Sequence, residues 1–396
     1  MTHTLISFLG KVPKKDGEQY RESNYDFKND IHTSRFFGKA LKEVIKPDKI
    51  ILLGTSGSMW DVLVESMGAT EEQYNERDGL IDAVKTNQVT QSQLNFFEKV
   101  VSDFLQVSCL LKLIPYGVDE NEQVEILQKM AEEIQEHDEV TLDLTHGLRH
   151  LPMLGLLSAM YLKITRGIEI KAIYYGAGEL TDPETKKTPV IRLDGLLKIT
   201  DWLHALDGFN KTGNLMPFSE LLQRDGANVK TAHCLEEAAF FENTLNIAQA
   251  RRPLKEFTEA TKKGLNGISA LFEKSLQERI AWHKQDNLYL RQRENAYFYL
   301  KQGDYLRAAC LGYEALITRQ VQQGNYIPKL DPQNFRHREK VQSDMDKNTD
   351  FRQLNYLRNS LAHGTRSTTD ETQRALSSKE KLQSELNRLF IKLLPV

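Results

Sequence analysis

Val140-Thr141-Leu142-Asp143-Leu144 runs directly into Thr145-His146-Gly147-Leu148-Arg149-His150. The first five residues read as a buried strand, the next as a tight polar loop, and 152–163 as a helix. The same rhythm recurs along the first half of the chain. Leu5 to Gly10, Lys49 to Gly54, Leu110 to Ile114 and Ile170 to Gly176 read as short strands. Segments near 33–45, 58–67, 91–107 and 119–136 suit helices between them. Alternation of this kind builds a parallel sheet with both faces covered. Pro189 to Leu193 adds a late strand, in a hairpin with 170–175. The N-terminal part is therefore read as an α/β, Rossmann-like domain.

Ligands of such sheets bind beyond the carboxyl ends of the strands. Three loops fall there: Gly10-Lys11, Gly54-Thr55-Ser56-Gly57-Ser58 and Thr145-His146-Gly147. The middle loop is rich in small residues, so backbone N–H groups and hydroxyls can approach an anion closely. It lacks the Gly-Lys-Ser/Thr ending of a phosphate-binding P-loop and is no clean Gly-x-Gly-x-x-Gly. Ordinary roles remain open for each position. Thr145 suits an N-cap as well as a ligand contact. His146 suits a loop carbonyl, Arg149 a surface charge or ion pair, and Thr55, Ser56 and Ser58 a plain turn and cap. Trp60, just after the middle loop, fits a core or interface position, or a stacking surface for a base.

The pattern changes at Asp207 to Pro217, where Gly208, Asn210, Gly213, Asn214 and Pro217 form a breaker-rich connector. From there onward the chain reads as all-α. Ala296 to Leu300 and Tyr305 to Leu316 read as helices around a Gly303-Asp304 turn. Gly324 to Pro332 reads as a loop, Phe351 to Ala362 as a helix, Thr365 to Asp370 as a polar turn, and Lys379 to Leu393 as a last amphipathic helix. The expected domains are 1–207, a helical linker at 208–290 and a helical domain at 291–396.

Near the end of this region stands Arg358-Asn359-Ser360-Leu361-Ala362-His363, followed by Gly364. On a helix Asn359 and His363 share a face, and Arg358 lies about 140° round from His363. Two copies across a two-fold axis would close these groups into one groove. RNA cleavage needs an in-line 2′-hydroxyl, stabilised charge on the phosphorane, and a proton for the departing 5′-oxygen. Arginine suits the charge, histidine the proton, and asparagine can orient the histidine or contact phosphate. The alternative role for Arg358 and His363 is as cap and dipole partners at a helix C-terminus. Arg336-His337-Arg338 is either a guide for single-stranded RNA or a solvated helix start.

The bulk properties bound the rest. The chain has 396 residues, 40% hydrophobic and 27% charged, with a formal net charge of -3. That gives no basic bulk for gripping duplex nucleic acid, so any such site is a local patch. Cys109, Cys234 and Cys310 form neither a zinc pattern nor a disulfide framework, which fits a reducing cytoplasm. No apolar run suggests a membrane span, and no metal ligand cluster stands near Arg358.

Arg358-x-x-x-x-His363 resembles the signature of HEPN ribonucleases. The strand running into Thr-His-Gly-x-Arg-x-x-Pro resembles the CARF sensor domains of the CRISPR-associated CARF–HEPN ribonucleases, and the order of sensor, helical linker and HEPN domain is the same. The resemblance implies a homodimer, or a higher oligomer, and no metal or cofactor. It implies activation by cyclic oligoadenylate, cyclic tetra-adenylate favoured and cyclic hexa-adenylate the alternative. It also implies a single-stranded RNA substrate of type III CRISPR defence, left with 2′,3′-cyclic phosphate ends. Arg358 and His363 would be catalytic with Asn359 assisting. Gly10, Lys11, Thr55, Ser56, Thr145, His146, Gly147 and Arg149 would lie in the ligand loops. Competing readings are a sensor domain that degrades its own cyclic ligand, a non-catalytic ligand-responsive nucleic-acid-binding regulator, and a DNA-binding transcription factor.

Overall fold

A computed structural model describes residues 1–10, 22–28, 30–67, 74–324, 326, 329–332, 334–364 and 369–395. The chain divides into two compact units, Met1–Leu196 and Leu197–Val396.

In the first unit, β1 (His3–Leu9), β2 (Ser23–Phe27) and β3 (Asp30–Ser34) lead into α1 (Phe37–Ile45), β4 (Lys49–Gly54), α2 (Trp60–Ser66), α3 (Tyr74–Thr86) and α4 (Gln91–Leu105). Then come β5 (Ser108–Leu113), α5 (Glu120–Glu132), β6 (Glu139–Asp143), α6 (His150–Arg166), β7 (Glu169–Gly176) and β8 (Lys187–Arg192). Among the described residues eight strands form one sheet in the order β3-β2-β8-β7-β6-β1-β4-β5. The β7-β6-β1-β4-β5 core is parallel, with Leu5 opposite both Ile50 and Thr141. Leu5, Ile6, Ile51, Leu53, Val140 and Leu142 are almost wholly buried, as expected for strands covered on both faces. Strand order reverses at β1, which makes its carboxyl end the switch point of the sheet.

The expected strands and the antiparallel β7–β8 hairpin are present, with Tyr174 opposite Arg192. Two strands were not foreseen. Segment 33–45 is not helical throughout, because residues up to Ser34 belong to β3 and the helix starts at Phe37. The β2–β3 hairpin is an edge extension carried by polar sequences, Ser-Asn-Tyr-Asp-Phe and Asp-Ile-His-Thr-Ser, which lack the apolar run of a central strand.

Gly54 ends β4 against Trp60. An added methyl would lie 2.5 Å from the Trp60 ring, and the indole cannot yield because its Nε1–H donates to the Thr55 carbonyl at 2.9 Å. We expect Gly54→Ala to cost about 1–3 kcal/mol through overpacking. Faster hydrogen exchange confined to β4 and its neighbours would register it, and unchanged exchange would refute it.

The second unit is helical. It contains α7 (Asp194–Thr212), α8 (Met216–Arg224), α9 (Val229–Asn243), α10 (Ile247–Ala260), α11 (Glu273–Ile280) and α12 (Leu288–Gln302). It continues with α13 (Tyr305–Gln323), α14 (Phe335–Met345), α15 (Thr349–His363), α16 (Asp370–Ala375) and α17 (Lys379–Leu393). The boundary expected at 207/208 falls inside α7, and the units divide between Leu196 and Leu197. Gly208 costs a helix about 1 kcal/mol, but Trp202, Ala205 and Phe209 bury one face of α7 and outweigh it. The break comes later, at Gly213 with φ +74°. Residues of the expected linker and of the expected C-terminal domain share one apolar core, from Trp202 and Leu235 to Phe351 and Phe390. The polar turn expected at Thr365–Asp370 lies mostly outside the described residues. No helix among the described residues is long and apolar enough to cross a membrane.

Candidate functional site

At the switch point the loops after β1, β4 and β6 meet. They enclose a cavity of 390 Å³ lined by Gly10, Thr55, Gly57, Ser58, Tyr116 and Gly147 among others. Each glycine has a physical reason. An added methyl on Gly10 would sit 2.8 Å from the Gly147 nitrogen, so the two backbones are in direct contact. Gly147 has φ +104°, a region L side chains avoid. The β4 loop is stapled to β1: Ser58 Oγ accepts from the Thr55 N–H at 2.9 Å and donates to the Leu9 carbonyl at 2.8 Å. The Met59 N–H donates to the Gly10 carbonyl at 3.0 Å. Trp60 is fully buried, so of its alternative roles it takes the core one.

The expected loop positions therefore separate into groups. Gly10, Thr55 and Gly147 line the cavity. Ser56 lies beside it, its hydroxyl donating to Tyr116 at 3.4 Å. Thr145 is no N-cap, since the helix is entered through Arg149; its hydroxyl accepts instead from the Gly176 N–H at 2.9 Å and ties the loop to the end of β7. His146 turns away from the cavity, and its Nε2 accepts from the Phe37 N–H at the start of α1 at 3.4 Å. Arg149 is exposed, near the Tyr175–Glu179 pair, whose shared hydrogen bond raises the Tyr175 pKa and lowers that of Glu179, Arg149 adding only a weak downward pull on each. Lys11 lies outside the described residues.

Behind the loop sits Asp143, wholly buried at the end of β6. It accepts from Ser7 Oγ at 2.6 Å and from the Thr145 N–H at 2.8 Å. Burial raises the pKa of its carboxyl and lowers that of the His146 imidazole beside it, while each group's charge favours the other's charged form. Asp143→Ala would strand the Ser7 hydroxyl and the Thr145 N–H in a dry site. We expect a loss of about 2–4 kcal/mol. Hydrogen exchange in β1 and β6 should rise, and exchange as slow as in the parent protein would contradict this account.

The second site lies at the end of α15. Asn348 caps the helix start, accepting from the Asp350 and Phe351 N–H groups, and Gly364 ends it with φ +64°. Asp350 anchors it to α17 through Arg388 at 2.8 Å and through Lys392. Arg358 is half-buried, and its Nη1 donates to Asn359 Oδ1 at 2.7 Å. The guanidinium lies over the Tyr313 ring, 4.3 Å from its centroid. His363 is exposed on the last turn. Asn359 thus orients the arginine, whereas sequence had pointed to the histidine or to phosphate. In the basic cluster, Arg338 is engaged by Glu314, by Thr318 at 3.3 Å and by the Pro332 carbonyl at 3.0 Å, while Arg336 is exposed. Among the described residues no group of three or more His, Cys, Asp or Glu side chains is placed to hold a metal ion.

Residues 4–179 match the family model described as the CARF domain of CRISPR system endoribonuclease Csx1. Residues 4–179, less than half of the chain, are thus similar to a CARF domain. The chain is 27% identical over 278 residues to CRISPR-associated protein MJ1674 of Methanocaldococcus jannaschii, across 64% of this chain and 43% of that protein. The chain thus spans less than half the length of that curated relative. A solved structure of Enterococcus italicus Csm6, bound to cyclic hexa-2′-fluoro-hexa-dAMP, aligns over 100% of this chain and 95% of that one, with a TM-score of 0.40 and 11% identity.

In the first unit, sequence reading missed two cavity residues, Asn87 and Tyr116. Tyr116 donates to Asn87 Oδ1 at 3.4 Å, and a methyl on Gly57 would collide with that amide oxygen. Asn87 follows α3, a helix not foreseen, and has φ +55°. In the helical unit Tyr313 was missed, since nothing local marks an aromatic eight residues into α13 as the partner of Arg358.

Proposed function

We propose that the chain is a cyclic oligoadenylate-activated, metal-independent endoribonuclease of type III CRISPR defence. Its CARF unit would be the sensor and its helical unit would end in a HEPN domain. The observation that carries the reading is the end of α15, which presents an exposed His363 five residues after a preoriented Arg358. Two copies would pair across a two-fold axis, since one helix places Arg358 and His363 about 140° apart.

In the reaction the 2′-hydroxyl attacks phosphorus, its proton passing to water, and the P–O5′ bond breaks. Arg358 would neutralise charge on the phosphorane, and His363 would deliver the proton to the departing O5′. The products are a 2′,3′-cyclic phosphate and a 5′-hydroxyl. On the sensor side the contacting loop backbones at Gly10 and Gly147, with Thr55 beside them, would receive the ring's phosphates. An even-numbered ring can use each loop twice in a symmetric dimer, and the family resemblance puts cyclic tetra-adenylate first and cyclic hexa-adenylate second.

The test is a single-stranded RNA incubated in EDTA with the protein and each ring. Fragments ending in 2′,3′-cyclic phosphate support the proposal. Intact RNA with both rings, or fragments with 3′-hydroxyl ends, overturns it.

A further inference from the structure

We propose that Tyr313 is a positioning residue for Arg358, its ring serving as the shelf that holds the guanidinium ready for a phosphodiester. The inference rests on the nuclease reading and extends it from α15 to the neighbouring helix α13.

Tyr313 is 3% exposed, and the Arg358 guanidinium lies 4.3 Å from its ring centroid. The shelf is itself fixed. Its other partner is Phe351, wholly buried and stacked on it with centroids 5.3 Å apart and planes 25° apart. Phe351 belongs to the same helix as Arg358, two turns earlier. The Tyr313 ring is therefore held by the element that carries the arginine.

What Arg358 lacks is equally informative. Some structural arginines in this chain are held by carboxylates, as Arg279 is by Glu242 at 3.2 Å and Arg388 by Asp350 and Glu385, and others by backbone carbonyls, as Arg291 is by those of Gln285 and Asp286. No carboxylate forms an ion pair with Arg358 among the described residues, and the neighbouring Glu314 is engaged by Arg338. An aromatic face and the Asn359 oxygen orient the guanidinium without neutralising it. Its remaining N–H donors keep their full charge for an incoming anion. Burial raises the Tyr313 pKa, against the pull of Arg358, so the shelf stays a neutral phenol.

The test is steady-state cleavage of single-stranded RNA by the full chain at saturating cyclic oligoadenylate. Tyr313→Leu and Tyr313→Met remove the ring face, the latter with most of the volume kept. We expect kcat to fall about 10-fold in both, with KM changing less than about 2-fold. Tyr313→Phe restores the ring and should restore kcat. Thermal unfolding of each variant separates loss of fold from loss of orientation, and the Met and Phe pair decides the matter should Leu not fold. Wild-type kcat in folded Tyr313→Met, or a Phe variant as impaired as Met, overturns the assignment. Should the parent protein and His363→Ala cleave alike, the nuclease reading fails instead.

Discussion

If the proposed function holds, His363→Ala is expected to lower ligand-activated RNA cleavage by about 10²–10⁴-fold, the usual contribution of a general acid. The size of this effect separates two roles for the same residue. His363 is the last residue of α15, followed by a left-handed glycine, which is also where a histidine serves as a dipole partner. As a cap alone it would contribute about 1 kcal/mol to stability and nothing to turnover. The side chain is exposed, so its removal strands no buried group and leaves no cavity. Cleavage and thermal unfolding measured on one preparation distinguish the roles. A lost rate with an unchanged unfolding temperature is expected. An unchanged rate with a lowered unfolding temperature would make His363 a cap. Arg358→Ala should lose turnover similarly. It should also show some structural cost, because it uncovers the Tyr313 ring.

Gly10→Val is expected to raise the concentration of cyclic oligoadenylate needed for half-activation by about 100-fold, equivalent to about 2.7 kcal/mol of binding. The reason is local. The position of the first added carbon is 2.8 Å from a backbone nitrogen, which cannot rotate aside as a flexible side chain could. The β1 and β6 loops must then separate, and both line the cavity. Titration of the cleavage rate with cyclic tetra-adenylate reads the shift directly, and direct binding of labelled ring to the purified protein should move in parallel. An unaltered midpoint in both would place the ligand elsewhere.

How much of this was legible in sequence depends on the range of the signal. The parallel core was legible because strands such as Lys49–Gly54 are short apolar runs closed by a breaker, a pattern set by burial on both faces. The β2–β3 hairpin was not, because its residues are polar and are held by cross-strand pairing with distant β8. The α7 boundary was misplaced because Gly208 and Asn210 are local breakers that a buried Trp202–Phe209 face overrides. At the cavity of the first unit, three loops expected at the strand ends do meet through Gly10, Thr55 and Gly147, while the backbone contact between Gly10 and Gly147 was not foreseen. Side-chain direction was less accessible: Thr145 and His146 sit in the expected loop yet bond to Gly176 and Phe37. Arg358 and His363 were picked out by spacing, and the structure places both on one helix. The Tyr313 shelf was not, because it depends on how α13 packs against α15.

Under the proposed function, occupancy of the cavity in the first unit controls chemistry at Arg358 and His363. The direct measurement is the initial rate of RNA cleavage in EDTA, with and without saturating cyclic oligoadenylate, using one preparation of the full chain. A rate at least about 10-fold higher with ligand is expected, corresponding to about 1.4 kcal/mol of coupling between the sites. Equal rates in the two samples would contradict it.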